Sequence, residues 1–554
     1  MAVPSLLPMV LDFYKQYPQY MILAVVFMAI VPVQDVYLPH VVGKVIDSIK
    51  HGGDTPAYYI TLLIIITIAV QLSWLFYDAH QMKMLPELQN FLAINMFRRI
   101  LERYEEEHEE LPVGELISKF ARAPSILTIW TDRIKSYVIP YMVAFAIATI
   151  YFFTIDSVLG IGFLILLVIF GYSVYKSINM CSCITVKRDQ SFSAYQEYID
   201  DVLRNLFSVY GSNKKDEEVE NVKQQTRAYT EGFKSTIQCS FQVKKYTTPM
   251  IIVFLSMMLA RSLYLLKHSK LNAGSFVSLF VITLYVLDNV LVLNDQIRDV
   301  IFDWGIIKSS SDVVDRKKSL TNSTLSTSSI PQNGLGLYKV SLTYPGSTMS
   351  TLKDISLHVP RGQKVAIVGN IGSGKSTILK LLMKYIHPTE GFVYWDGKSY
   401  DDISTYELRH KIGYVPQQPI LFNRTVYENI TYGLDISRPE LEQKLKDLKV
   451  WDEFVNLEHG LDTNIAKNGS KISGGQRQLI WCMRVLLRNP EIIILDEPTA
   501  SVNEKIKTIL RNVINEVMEH KTVIMVTHDE YLMKYADRVI TLEAGTIIKD
   551  TTEH

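Results

Sequence analysis

The sequence predicts an all-α, six-helix transmembrane domain followed by an α/β domain, joined by a polar linker. Three observations carry this. Six apolar stretches long enough to cross a bilayer, about 20 residues each, crowd into the first three hundred residues. From Leu335 onward the pattern changes to short β runs, turns and amphipathic helices. Between the two, Lys317 to Gly334 is rich in Ser, Thr and Asn and reads as a flexible linker. The expected domains are therefore 1–316, a linker over 317–334, and 335–554.

A chain of 554 residues is too long for one compact core. Its 48% hydrophobic content is high and unevenly spread, which is the origin of the six spans. They are placed near 19–46, 57–81, 128–154, 157–178, 243–266 and 275–300. An all-soluble protein would need several buried helices of that length in succession. Lys and Arg total 57, as do Asp and Glu, which argues against coating a nucleic acid. Cys181, Cys183, Cys239 and Cys482 are too scattered for a disulfide framework, and Cys181 and Cys183 lack zinc-ligand spacing, so ordinary thiols are expected. The N-terminus has no basic n-region and no Arg- and Ser-rich pattern, so neither a cleavable signal peptide nor a transit peptide is expected.

The connections alternate. Those after the first, third and fifth spans are short, and those after the second and fourth are long and charged. The long ones carry Arg98, Arg99, Arg103, Lys119 and Arg122, then Lys187, Arg188, Arg204, Lys214, Lys215, Lys223 and Lys234. Positive charge marks the cytosolic side, so both termini are expected there. The long connections look helical, which predicts spans continuing into the cytosol as rods. Glu105 to Glu110 reads as a solvated helix face, because no second His stands at helical spacing to complete a metal site. Inside the spans, Asp35, Gln71, Asp78 and Asp288 would cost a few kcal/mol facing lipid. They are candidates for a wet cavity, with Asp288 beside Asn289 the foremost, or else for helix–helix hydrogen bonds. Pro32 and Pro39 are expected to kink the first span.

In the second half, Gly369-Asn370-Ile371-Gly372-Ser373-Gly374-Lys375-Ser376 fits G-x-x-x-x-G-K-[ST]. An apolar run, Val365 to Val368, precedes it as a strand, and a helix opens after it at Thr377. Glycines let backbone N–H groups wrap a phosphate, and the helix N-terminus adds partial positive charge. Lys375 reaches the outer phosphates, and the Ser376 hydroxyl suits Mg²⁺. This setting makes the second domain a P-loop nucleoside-triphosphatase fold. Ile492 to Leu495 is an apolar strand ending in Asp496 and Glu497: the first suits Mg²⁺, the second an attacking water. A further strand, Val523 to Val526, ends at Thr527-His528, placing His528 to contact a terminal phosphate. Ser473-Gly474-Gly475-Gln476 forms a second anion-binding helix start. One nucleotide does not need two cradles in one domain, so this loop is expected to cover the nucleotide of a partner chain.

These motifs, in this order, resemble the ATP-binding cassette exporter half-transporters, in which one membrane domain is fused to one nucleotide-binding domain. The likeness covers nearly the whole chain. Ser473-Gly474-Gly475-Gln476 is similar to that family's signature loop. Gln417 matches its loop glutamine, implying contact with Mg²⁺ and sensing of the membrane domain. Tyr344, in Ser341-Leu342-Thr343-Tyr344-Pro345, matches the aromatic that stacks on adenine, and His528 the switch histidine. Leu38 to Asp47 resembles the outer end of the family's first span. Gly114 to Ile117 and Leu206 to Asn213 look like the two coupling helices. Ile472 replaces the usual leucine, a near-isosteric change. Asn503 stands where Asp is usual in the dimer-contact loop Ala500-Ser501-Val502-Asn503, and Lys467 where Glu is frequent.

The resemblance implies ATP-driven export by a dimer, with ATP and Mg²⁺ as ligands. Each ATP is expected between Lys375, Ser376, Gln417 and Asp496 of one chain and Ser473 and Gly475 of the other. Glu497 is the expected base or water-positioner. Intact catalytic residues favour an identical partner chain; half of an obligate heterodimer and an ATP-gated membrane regulator or scaffold are the alternatives. The fusion of the two domains speaks against an importer. Aromatic-rich spans with little fixed charge suit an amphipathic or lipid-like cargo better than a small ion. A small-molecule or peptide cargo is compatible as well, and no nucleic-acid partner is expected.

Overall fold

The computed structural model describes residues 5–51, 55–104, 113–314, 331–344, 346–500 and 502–552. The acidic run Glu105–Glu110, linker residues 317–330, Pro345 and Ser501 lie outside the described residues. The chain divides into two compact units, the first holding the described residues through Val314 and the second those from Pro331 onward.

Among the described residues, the first unit has six helices long and apolar enough to cross a membrane: Pro18–Ile49, Pro56–Arg103, Val113–Ile155, Ser157–Arg204, Lys215–Lys267 and Ala273–Asp312. Each contains one expected span. The fourth runs 48 residues and the fifth 53. At 1.5 Å per residue these are rods of about 70–80 Å, more than twice a bilayer's hydrocarbon core. The short helix Leu206–Gly211 joins them. Two of the charges beyond the apolar windows are paired across or along the rods: Arg122 with Asp189 at 2.9 Å, and Lys119 with Glu115 at 2.6 Å and the Ser309 carbonyl at 2.9 Å.

A further helix, Leu7–Gln16, precedes the first span and was not expected. Ten residues are too few to register as a span. It is amphipathic, and its buried Met9, Val10 and Phe13 share one cluster with Leu88 and Leu92 of the second span.

The first span is broken where its prolines predict. A π-helical turn, Val33–Tyr37, precedes the helix Leu38–His51. The third span repeats the device, with Ile134–Val138 π-helical before Ile139–Ile155. In both, proline is the second residue of the following helix, Pro39 and Pro140. Proline cannot donate to the residue four back and its ring crowds that carbonyl, so the wider turn accommodates it. Asp35 lies in the first π turn, buried, and accepts from Asn289 Nδ2 of the sixth span at 2.7 Å. The helix–helix alternative therefore holds for Asp35. Asp288, Gln71 and Asp78 lie on exposed faces of the chain.

Near the other end of these two spans the backbones almost touch. A Cβ at Gly274 would lie 2.0 Å from the Gly43 carbonyl oxygen. Asp47 Oδ1 accepts the Gly274 N–H at 2.8 Å.

One expectation is corrected. Cys181 is not an ordinary thiol: it forms a disulfide with Cys239, joining the fourth and fifth spans. The two are 58 residues apart in sequence, and only the antiparallel packing of the rods brings their Cα atoms to 5.9 Å. Cys183 and Cys482 are free.

In the second unit the strands are β1 (Leu335–Leu342), β2 (Leu352–Val359), β3 (Lys364–Gly369), β4 (Glu390–Trp395), β5 (Lys398–Ser399), β6 (Ile412–Val415), β7 (Ile492–Asp496), β8 (Thr522–Val526), β9 (Arg538–Glu543) and β10 (Thr546–Thr552). They form an antiparallel sheet ordered β2-β1-β4-β5 and a second sheet ordered β10-β9-β3-β8-β7-β6. In the second, β9, β3, β8, β7 and β6 are parallel. Their apolar runs are continuous because both faces are covered, so β8 is buried throughout. The helices Gly474–Arg488 and Glu504–Met518 cover one face through Leu479, Met483, Leu510 and Ile514. On the other, Lys375–Leu382 packs with the antiparallel sheet.

Candidate functional site

Parallel strands place the residues that follow them along one edge of a sheet, where α/β proteins bind ligands. Here the neighbours β3, β8, β7 and β6 end, in that order across the sheet, at Gly369, Val526, Asp496 and Val415. The register pairs Asp496 with Val526 and Leu495 with Val415, so these ends are level. The phosphate loop, His528, the Asp496-Glu497 pair and Gln417 thus emerge side by side, although 159 positions separate Gly369 from His528.

The loop has the geometry its glycines permit. Gly372 and Gly374 have φ of 81° and 103°, which a side chain would strain. Lys375 is buried, and its Nζ donates to the carbonyl oxygens of Gly369 at 2.6 Å and Asn370 at 3.1 Å. Ser376 is exposed at the first turn of the helix, beside buried Thr377. Thr377 Oγ1 lies 3.3 Å from the Tyr344 hydroxyl, so the aromatic residue is at the loop. The Ser373 Oγ is buried with no hydrogen-bond partner among the described residues. An orphaned hydroxyl in a phosphate loop suits a phosphate oxygen.

At the end of β7, Asp496 is half-buried. Burial first, and then the neighbouring Glu497, pushes its carboxyl above the usual range; Tyr414, Lys380 and Lys375 oppose this. The Tyr414 hydroxyl lies 3.4 Å from Asp496 Oδ2. Such a carboxylate gains by taking a cation, so Ser376, Gln417 and Asp496 fit Mg²⁺. Glu497 has a left-handed backbone, φ 44°, held by its N–H donating to Val526 O at 2.8 Å. Its Oε2 accepts from Gln417 Nε2 at 2.8 Å. His528 is exposed two residues past β8 and has no hydrogen bond among the described residues.

The signature-like loop neighbours one of these groups: Gly474 and Gln417 line the same cavity, of about 520 Å³. Ser473 caps the helix Gly474–Arg488: its Oγ accepts from the Gln476 N–H at 3.2 Å, while Gln476 Oε1 accepts from the Ser473 N–H at 2.9 Å. Gln476 Nε2 also donates to Glu453 O at 2.8 Å. The cap uses Ser473 as an acceptor and leaves its hydroxyl proton to donate elsewhere. Gly475 packs so closely that a Cβ would meet Ile506 at 2.6 Å. Asn503 is itself an N-cap, accepting from Ile506 N at 3.0 Å, a role Asn and Asp fill equally. Ile472 is buried, and Lys467 is exposed.

Sequence analysis missed Asp529. This buried carboxylate accepts from Thr499 Oγ1 at 3.0 Å and from Arg511 at 2.6 and 3.1 Å, tying the turns after β7 and β8 to the helix Glu504–Met518. An acid next to His528 could have been read as a turn cap. Nothing in sequence points to Arg511 as its partner.

A bundle of six bilayer-length helices and a sheet edge carrying a phosphate loop define a multi-pass membrane protein with an ATP-binding domain. The chain belongs to the ABC transporter family. The family model described as ABC transporter transmembrane region matches 21–290, and the ABC transporter model matches 352–500. A probable multidrug resistance ABC transporter ATP-binding/permease protein of Bacillus subtilis is 26% identical over 98% of this chain and 93% of its own length. The sophorolipid transporter of Starmerella bombicola is 34% identical over 44% of this chain, but the match spans only 20% of that protein. The structure of a bacterial Atm1-family ABC exporter with ATP bound shares the fold, with a TM-score of 0.84 at 20% identity, covering 97% of this chain and 95% of that one.

Proposed function

We propose that this chain is an ATP-driven exporter that works as a homodimer, carrying an amphipathic or lipid-like cargo. The observation that carries this is the level row of strand ends, which sets the phosphate loop beside Asp496, Glu497, His528 and Gln417. Lys375 and the loop N–H groups hold the phosphates of ATP, and Tyr344 takes the adenine. Ser376, Gln417 and Asp496 would hold Mg²⁺, which when bound neutralises charge on the phosphates. Glu497 positions or deprotonates the attacking water, and His528 steadies it against the terminal phosphate. Ser473, with Gly474, Gly475 and Gln476, covers the ATP of the partner subunit. Closure of the two nucleotide domains turns the cavity outward, and hydrolysis resets it. Both termini and the nucleotide domain lie in the cytosol, the side the basic long connections favour.

The test is ATPase activity of the purified chain in lipid nanodiscs, native against Glu497→Gln. The native chain is expected to turn over, and the variant to lose at least about a hundredfold in rate while still binding ATP. Near-native turnover by the variant would remove Glu497 from the role. ATP binding without turnover in either chain would favour a missing heterodimer partner or an ATP-gated regulator.

A further inference from the structure

We propose that the groove between the fourth and fifth spans binds an anionic phospholipid from the leaflet next to the long connections. The groove is a cavity of about 370 Å³. One wall is Ile169, Tyr172 and Lys176 of the fourth span, and the other is Gln242, Tyr246 and Met250 of the fifth. The spacings are three or four residues, so each set lies along one helix face. The helices are antiparallel, which sets Ile169 near Met250 at the deep end and Lys176 near Gln242 at the other. The latter pair falls where the apolar runs stop, near 178 and 243. From Ile169 to Met180, which also lines the groove, the helix rises about 16 Å, half of a hydrocarbon core of about 30 Å. The groove therefore has the length of one leaflet.

Its chemistry is divided in the same way. Lys176 has neither an ion pair nor a hydrogen bond among the described residues. The neighbouring cations differ: Lys244 pairs with Asp295 at 2.5 Å, and Arg261 with Asp156 at 2.8 Å. An unpaired ammonium at headgroup depth, flanked by Tyr172 and Tyr246, suits a phosphate; the Ile169 and Met250 end suits an acyl chain. In a zwitterionic headgroup the lipid's own cation already compensates the phosphate, so Lys176 gains less there, and free phosphate would leave the apolar end unused. The Cys181–Cys239 disulfide joins the two helices just past the headgroup end, and the groove-lining Ser177 lies 3.7 Å from Cys181 Sγ, so the spacing there is held covalently. The site is read from the membrane unit alone and stands or falls separately from the ATPase mechanism.

Native mass spectrometry of the full chain in detergent micelles, with added phosphatidic acid, phosphatidylcholine or inorganic phosphate, tests this. Saturable phosphatidic acid adducts are expected, with phosphatidylcholine about tenfold weaker. Lys176→Gln should weaken phosphatidic acid about fivefold and phosphatidylcholine markedly less. Lys187→Gln, an exposed lysine of the same helix outside the groove, should change neither. Ile169→Trp, which fills the deep end, should weaken both lipids, with helicity by circular dichroism confirming a folded chain. Four outcomes overturn the proposal: native-like phosphatidic acid binding by Lys176→Gln, equal binding of the two lipids, inorganic phosphate binding as tightly as the lipid, or a change in oligomeric state in place of lipid loss. The last would make the groove a subunit interface.

Discussion

Gln417 and Glu497 are joined by a 2.8 Å hydrogen bond from the amide Nε2 to the carboxylate Oε2. Their strands, β6 and β7, are neighbours, so the bond spans adjacent strand ends although 80 residues separate the two in sequence. Each has a proposed role of its own, and the bond orients one through the other.

Gln417→Ala should therefore affect turnover beyond any loss of metal affinity. A reduction of about 10–100-fold in ATPase rate is expected. Assays at saturating Mg²⁺ check this: full rescue by Mg²⁺ would mean that Gln417 acts on the metal alone.

Ala466 has φ 59° and ψ −172°, a conformation nearly confined to glycine, and its N–H is held by Asn464 Oδ1 at 2.9 Å. Ala466→Gly should relieve about 1–2 kcal/mol. Thermal unfolding of the nucleotide domain should move up by a few degrees. An unchanged or lower midpoint would show that the alanine is not strained there.

Gly274→Ala should loosen the first span from the sixth, since its Cβ would meet the Gly43 carbonyl oxygen at 2.0 Å. A cost of about 1–3 kcal/mol is expected, seen as a lower detergent-unfolding midpoint. Gly43→Ala acts at the same contact, so the double variant should cost less than the sum of the two.

Asp529 is held ionised. Burial alone would raise its pKa, but hydrogen bonds from Arg511, the Tyr531 N–H and Thr499, with the Arg511 charge, lower it below the ordinary value. A depressed folded-state pKa contributes stability above the unfolded value of about 3.9, and that stability fades as pH falls through the folded value. Asp529→Asn should cost about 2 kcal/mol near neutral pH. The gap between native and variant midpoints should narrow below about pH 4. A gap that stays constant to low pH would show that the charge of Asp529 contributes nothing.

Much of the fold was legible because its signals are local. An apolar run of bilayer length declares a span by itself, and a strand–loop–helix with glycines at fixed offsets declares a phosphate loop. The helix Leu7–Gln16 was missed because ten residues are too few to stand out before a span. The π turns were half legible: Pro39 announced a break, but the type of turn depends on how the chain relieves the lost hydrogen bond. Of the candidate site, the phosphate loop, Asp496, Glu497 and His528 were readable as motifs, and Gln417 and Tyr344 were placed by family likeness. The Ser473–Gln476 capping box was implicit in their spacing.

The sequence by itself determined six spans, an α/β nucleotide domain and the phosphate loop, Asp496, Glu497 and His528 after its strands, because hydrophobic periodicity and backbone-conformation demands act over a few residues. Tertiary structure decided the Cys181–Cys239 disulfide, the Asp35–Asn289 and Asp529–Arg511 bonds, and the groove around Lys176. Each of these joins groups far apart along the chain. Their partners are chosen by how helices and strands pack, and packing is a property of the whole fold rather than of any one segment.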